Sequence, residues 1–158
     1  MLKVHTLSKM VSIQSSMIDA VADIEAAIQP HDAWSAAVIE DMLTQESVQL
    51  SLVTEAEGRV VGYCLYQIIF DQAEILRIGT APQYQRQGIA SRLFAALHDT
   101  LQAANVSSLL LEVRADNHAA ITLYEQQAFN VIHKRKGYYQ SAHQPAVDAL
   151  IMQHVYTE

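Results

Sequence analysis

The sequence predicts a mixed α/β domain, a central sheet with helices packed on both of its faces. Three observations carry this. Strand-like runs come first and pair through a short turn. A β-α-β-α-β alternation follows, which adds parallel neighbours to a sheet that began antiparallel. A chain of 158 residues at 51% hydrophobic composition fills one core and leaves little for a second. Residues 1–158 are therefore read as one domain, with no repeat, linker or low-complexity tract.

The elements follow in order. Met17, Val21, Ile24 and Ile28 recur at helical spacing, with Ser16 and Asp19 as a cap and Pro30 beyond the end. Ser35 caps a short helix over 36–43, with Trp34 just ahead of it. Residues 47–54 alternate as a strand, Glu57-Gly58 makes a turn, and 59–70 are rich in β-branched and aromatic residues, giving a hairpin. A strand over 73–80 stops at Pro82. A helix over 89–104 then carries Leu93, Phe94, Leu97 and Leu101 inward and ends at Asn105. A buried strand over 108–114, a helix over 119–127 and closing strands over 129–138 and 146–155 complete the chain.

Ten basic and seventeen acidic side chains give a net charge of −7, which argues against nucleic acid as a partner and suits a cationic substrate. Cys64 is the sole cysteine, so no internal disulfide forms, and a reducing, cytoplasmic setting is expected. It lies in an apolar run as a small hydrophobe without a chemical role. The amino terminus lacks the apolar core of a secretion signal, and the apolar run over 60–70 is too short to span a bilayer, so no membrane partner is expected. The seven histidines show no metal-ligand spacing, and no metal is expected.

The stretch Tyr84-Gln85-Arg86-Gln87-Gly88-Ile89-Ala90 sets one glycine between a strand and a helix. At a helix start the first N–H groups lack partners and the macrodipole is positive, so an anion binds there without a dedicated cation. Such a glycine by itself also reads as an ordinary turn. Neither G-x-x-x-x-G-K-[ST] nor a strand-linked G-x-G-x-x-G is present, which turns the reading away from nucleoside triphosphatases and dinucleotide-dependent oxidoreductases.

Around that stretch stand Ile78-Gly79-Thr80-Ala81-Pro82, then Gln85-x-x-Gly88-x-Ala90, Leu111-Glu112-Val113-Arg114, Asn117 and Leu123-Tyr124-Glu125. In order and spacing they closely resemble the acetyl-CoA core of the GNAT N-acetyltransferases. Ala119-Ala120, Phe129 and Tyr138-Tyr139 add a resemblance to the RimI family, whose members acetylate the N-terminal alanine of a small-subunit ribosomal protein. The likeness is strongest over 74–152 and weaker before it.

The resemblance implies the acyl-CoA N-acyltransferase fold, a mixed sheet of about six or seven strands whose two central parallel strands splay apart. It places pantetheine along the strand edge at Ile78, Gly79 and Thr80, by hydrogen bonding like that of an added strand. The pyrophosphate of acetyl-CoA would lie on the amides of Arg86, Gln87, Gly88, Ile89, Ala90 and Ser91. Asn117 would touch the cofactor, with helix capping as its competing role. The family usually has glycine where this chain has Ala90 and Ala128, and these departures bear on cofactor affinity more than on fold.

An amine must lose a proton before it attacks a thioester, and the departing thiolate gains from a proton donor. Glu112 is an acid on an otherwise apolar strand, where burial disfavours its charge and readies it to take a proton, although an ion pair with Arg114 is the plain alternative. The resemblance makes Glu112 the general base and Tyr124, otherwise a core tyrosine, the general acid, with direct transfer and no acyl-cysteine. An α-amine, near pKa 7.7–8.0, is the easier acceptor than a lysine near 10.4. Trp34, Tyr138 and Tyr139 are candidates for acceptor binding, with Glu25 or Asp32 to meet a basic peptide. A small amine or a lysine remains an alternative acceptor, and a noncatalytic acyl-CoA-binding module is a third reading; the oligomeric state is not legible.

Overall fold

A fork in the middle of the sheet organises this fold. The computed structural model describes residues 1–7 and 13–156. Seven strands, β1 (Lys3–Leu7), β2 (Val48–Thr54), β3 (Val60–Ile69), β4 (Gln72–Thr80), β5 (Ser108–Arg114), β6 (Asn130–Ser141) and β7 (Gln144–Val155), form one sheet in the order β1-β2-β3-β4-β5-β7-β6. Every neighbouring pair is antiparallel except β4 and β5. Their ladder holds only three residue pairs, Gln72 with Ser108, Ala73 with Leu109 and Glu74 with Leu110. Beyond Glu74 and Leu110 the two strands part.

A bulge marks the place where they separate. Leu65 of β3 faces Arg77 and Tyr66 faces Ile75, which leaves Leu76 without a partner. An extra residue bends its strand and increases the local twist. It also reverses the alternation of faces. Ala73 and Ile75 point into one hydrophobic cluster, Leu76 points into the other, and Arg77 follows Leu76 to the same side.

The helices α1 (Ser15–Ile28) and α2 (Ala36–Leu43) cover one face, burying Ile18, Val21, Ile24, Ile39 and Leu43 against Leu50, Leu52, Tyr63 and Leu65. Helices α3 (Ile89–Ala103) and α4 (His118–Gln126) cover the other with Leu93, Phe94, Leu97, Leu101 and Tyr124. The expectation of helices on both faces therefore holds. Ser35 caps α2 by accepting from the Val38 amide at 3.2 Å, as its position before an apolar helix predicts.

Two expectations change. Ser16 does not cap α1: the helix starts at Ser15, with Gln14 at the cap position and no side-chain bond to the first turn. Residues 3–7 form the additional strand β1, which pairs with β2 from Lys3–Thr54 to Leu7–Leu50. Its sequence exposes most of its side chains and buries only Leu7, so periodicity gives little sign of it. Among the described residues no helix is long and apolar enough to cross a membrane.

Both α3 and α4 end in the same closure. Asn105 (φ +59) follows α3, with Val106 donating to the Leu101 carbonyl at 3.0 Å and Asn105 to Gln102 at 3.1 Å. Ala128 (φ +63) follows α4, with Phe129 donating to Tyr124 and Ala128 to Glu125, each at 3.0 Å. This pair of hydrogen bonds needs a left-handed residue, usually glycine and sometimes asparagine. The second closure ties the backbone of Tyr124 directly to Phe129, and their rings lie 6.0 Å apart.

Candidate active site

The opening between β4 and β5 is lined from both faces of the sheet. On β5 the side chains alternate: Leu111 and Val113 are buried in the α3–α4 cluster, while Glu112 lies on the opposite face with Leu110 and Arg114. Tyr124, on α4, lies in the same cluster as Leu111 and Val113. Glu112 and Tyr124 therefore belong to opposite faces of the divided sheet.

Glu112 is half-buried and its carboxylate is held by β6. The Tyr139 hydroxyl donates to its Oε2 at 2.8 Å, and the Arg135 guanidinium lies 3.6 Å from its Oε1. The alternative pairing with Arg114 is not made. Arg114 ends its strand and turns onto Asp116 two residues later, with bonds of 3.0 and 3.1 Å. Burial, then the bond to Glu112, pushes the Tyr139 phenol well above its ordinary range, so it stays a donor.

Tyr124 is buried, with Phe94 edge-on at 6.1 Å between centroids. Burial pushes its phenol up to about 12, so the group is protonated at neutral pH. Cys64 is fully buried and its thiol is pushed far up by that burial, which leaves it unreactive as expected.

The turn into α3 has the form of an anion seat. After β4 a short 3-10 turn (Pro82–Tyr84) leads to Arg86 (φ +64) and Gly88 (φ +79), both left-handed. The first helical hydrogen bond runs from Arg92 to the Gly88 carbonyl at 3.1 Å. Among the described residues, the amides of Arg86, Gln87, Gly88, Ile89, Ala90 and Ser91 have no main-chain acceptor. Ala90 is the second residue of the helix, where a methyl is compatible with the backbone.

The edge of β4 is open beside this turn. Ala81 donates to Val61 on β3 at 2.8 Å, so by the alternation of an antiparallel ladder the main-chain groups of Ile78 and Thr80 point away from β3 and into the fork. Gly79 differs. It lies under Tyr63, where a Cβ would fall 2.6 Å from the phenol oxygen, so its visible role is packing. Asn117 caps α4 by accepting from Ala120 at 3.2 Å.

On the Glu112 face stand the acceptor candidates. Tyr138 is exposed and Tyr139 half-buried, their rings at right angles 5.2 Å apart on the bulged part of β6. Trp34 is partly buried under the Arg77 guanidinium, 5.2 Å from its ring centre. Glu25 is not available to a peptide: it is fully buried. Its Oε1 accepts from the Trp34 amide at 3.0 Å and from Arg77 Nε at 2.8 Å, and its Oε2 from Tyr63 and from Gln29. Asp32 is exposed and passes its carbonyl to Arg77 at 3.1 Å. Sequence reading missed Arg77 and Tyr63. The available signal was a charge inside the apolar strand Ile75-Leu76-Arg77-Ile78, of the kind that drew attention to Glu112.

Fold and site together define a class: an α/β protein whose sheet opens between two parallel strands, with a row of amides lacking main-chain acceptors at the start of the helix that follows the first of them. Residues 18–129 match the model of the acetyltransferase (GNAT) family, and the chain belongs to that family. It is an acyltransferase. It is 40% identical over 103 residues to a [ribosomal protein bS18]-alanine N-acetyltransferase of Salmonella typhimurium, a match over 65% of this chain and 69% of that one. The crystal structure of the ribosomal-protein-S18-alanine N-acetyltransferase from Escherichia coli superposes with a TM-score of 0.86 at 30% identity, over 100% of this chain and 96% of the other. A GNAT family acetyltransferase from Elizabethkingia anophelis, solved with acetyl-CoA bound, shares the fold at a TM-score of 0.74 and 18% identity over 98% of each chain.

Proposed function

We propose that this protein acetylates the N-terminal α-amine of an alanine-initiated ribosomal protein, taking the acetyl group from acetyl-CoA by direct transfer. The observation that carries the reading is the fork, with a carboxylate on one face and a protonated phenol on the other. The likeness to the bS18-alanine N-acetyltransferases of Salmonella and E. coli supports the choice of acceptor.

Each residue has a task that its surroundings support. The six free amides of residues 86–91 hold the pyrophosphate, helped by the positive end of α3. The main-chain groups of Ile78 and Thr80 bind the pantetheine arm as if it were another strand. Asn117 fixes the start of α4 and with it the approach of that helix to the arm. Glu112, oriented by Tyr139, takes a proton from the ammonium of the acceptor. The neutral nitrogen attacks the thioester carbonyl, the C–N bond forms, the C–S bond breaks, and the second proton of the nitrogen leaves with the thiolate, giving amide and free thiol. Tyr124 donates to the departing sulfur. A phenol held near 12 is a weaker acid than an ordinary thiol near 8.5, so Tyr124 stabilises the thiolate mainly as a hydrogen-bond donor. Trp34, Tyr138 and Tyr139 wall the acceptor.

Thiol release from acetyl-CoA tests the reading, with an alanine-initiated peptide, the same peptide N-terminally blocked, a lysine-bearing peptide and a polyamine as acceptors. Turnover on the first alone is expected. Glu112→Gln and Tyr124→Phe then lower kcat by about 10²–10⁴ while acetyl-CoA still binds. Turnover on the polyamine or lysine alone would overturn the acceptor assignment, and a wild type that binds acetyl-CoA but stays inert on every amine would overturn the catalytic one.

A further inference from the structure

The connection between α1 and α2, residues 29–35, borders the Glu112 face of the fork yet has almost no core of its own. Pro30, His31 and Asp32 are exposed, and Ala33 and Trp34 only partly buried. Beside the packing of Trp34 against the α1–α2 core, its position is set by one buried carboxylate and one guanidinium. Glu25, at 0% exposure, receives the Trp34 amide, and Arg77, 14% exposed in its side chain, bonds Glu25 through both Nε and Nη2 at 2.8 and 2.7 Å. The same Nη2 donates to the Asp32 carbonyl at 3.1 Å, and the guanidinium lies over the Trp34 ring. One side chain thus grips the loop at two points while its other end stands on β4.

Across the fork lies β6 with Tyr138 and Tyr139. The loop is held by Arg77 on β4 and Tyr139 is bonded to Glu112 on β5, so the two are anchored on the same face of the sheet, on the two strands that border the fork. The loop is one jaw of the cleft and the two tyrosines are the other.

We infer that Arg77 is a positioning residue for the acceptor, fixing the Asp32–Trp34 jaw against β4 so that an incoming peptide meets a preformed wall. This rests on the acetyl-transfer reading of the fork. Arg77 does not touch the reacting atoms. Its effect belongs to acceptor binding, because the amides of residues 86–91 and the open edge of β4 that serve acetyl-CoA lie outside its reach of bonds. A lysine at 77 keeps the charge but cannot bond Glu25, bond the Asp32 carbonyl and cover an indole together.

Trp34 is the only tryptophan in the chain, so its fluorescence reads the jaw directly. The test compares wild type with Arg77→Lys and with Glu25→Gln/Arg77→Met. The double variant removes both charges, so that no carboxylate is left buried alone. Acrylamide quenching of Trp34 is expected to rise about twofold in both variants, and KM for the alanine-initiated peptide about tenfold, the scale of one lost well-placed contact. KM for acetyl-CoA is expected to change by less than about twofold. Folded variants with wild-type quenching and wild-type peptide KM overturn the inference, as do variants in which both KM values rise together. Failure of the wild type on alanine-initiated peptides strikes the proposed acceptor alone, and quenching then still decides whether Arg77 holds the jaw.

Discussion

Replacing Ala128 with glycine should stabilise the protein without altering its chemistry. Ala128 sits at φ +63 because the closure of α4 demands it: Phe129 must reach the Tyr124 carbonyl while Ala128 itself bonds Glu125. A residue with a Cβ in the left-handed region costs about 1–2 kcal/mol. Glycine removes that strain but gains freedom in the unfolded chain, which offsets roughly 0.5–1 kcal/mol. The net expectation is a gain of about 0.5–1 kcal/mol, or a rise in Tm of about 1–4 °C for a domain of this size. Scanning calorimetry at neutral pH measures it, and kcat on the peptide should stay within about twofold because the ring of Tyr124 keeps its neighbours. Asn105, in the same place after α3 at φ +59, supplies the control. Asparagine tolerates this conformation, so Asn105→Gly should gain less. A Tm for Ala128→Gly at or below wild type would refute the assignment of strain.

Three further perturbations follow from the geometry. Gly88→Ala meets no atom within 4 Å but must hold φ +79, so it should cost about 1 kcal/mol in thermal unfolding and weaken acetyl-CoA severalfold in titration calorimetry. Gly79→Ala would drive a Cβ into the Tyr63 ring, and a loss of about 1–3 kcal/mol in urea denaturation is expected. His98 lies below its ordinary pKa because of burial and the neighbouring His154. The unfolded chain then takes up its proton first as pH falls, so this stability is present above about pH 6.5 and lost below it. His98→Gln should flatten the decline of Tm between about pH 7 and 5, and an unchanged slope would place the acid sensitivity elsewhere.

Local signals in the sequence located most elements. Ser35 before an apolar run gave α2 its true start, and the periodicity of Leu93, Phe94, Leu97 and Leu101 gave α3 its buried face. The strand β1 escaped because it is held by its ladder with β2 and buries only Leu7. The cap on α1 was misplaced because two serines sit inside the first turn and neither bonds it. At the site, Glu112 was legible as an acid on an apolar strand, but its partners were not. Tyr139 and Arg135 come to it from β6 through long-range pairing with β7, while the sequence neighbour Arg114 is drawn off by Asp116.

Arg77 was hidden for a more specific reason. Strict alternation along β4 would put residue 77 on the face of Ala73 and Ile75, among the side chains of α3, where a guanidinium has no partner. The unpaired Leu76 shifts the count by one, turns Arg77 toward α1 and sets it on Glu25. The bulge falls two residues after the last β4–β5 pair, at Glu74, so the bend that it introduces also carries β4 away from β5. One inserted residue therefore has two consequences. It bends β4 where the pantetheine arm is proposed to lie, and it leaves Arg77 opposite Leu65 on the α1 side, beside that bend, where the acceptor wall is proposed to be held. A deletion of Leu76 would straighten the strand but set Arg77 directly after Ile75, still opposite Leu65 and still on the α1 side, so it changes the opening while the guanidinium keeps its face.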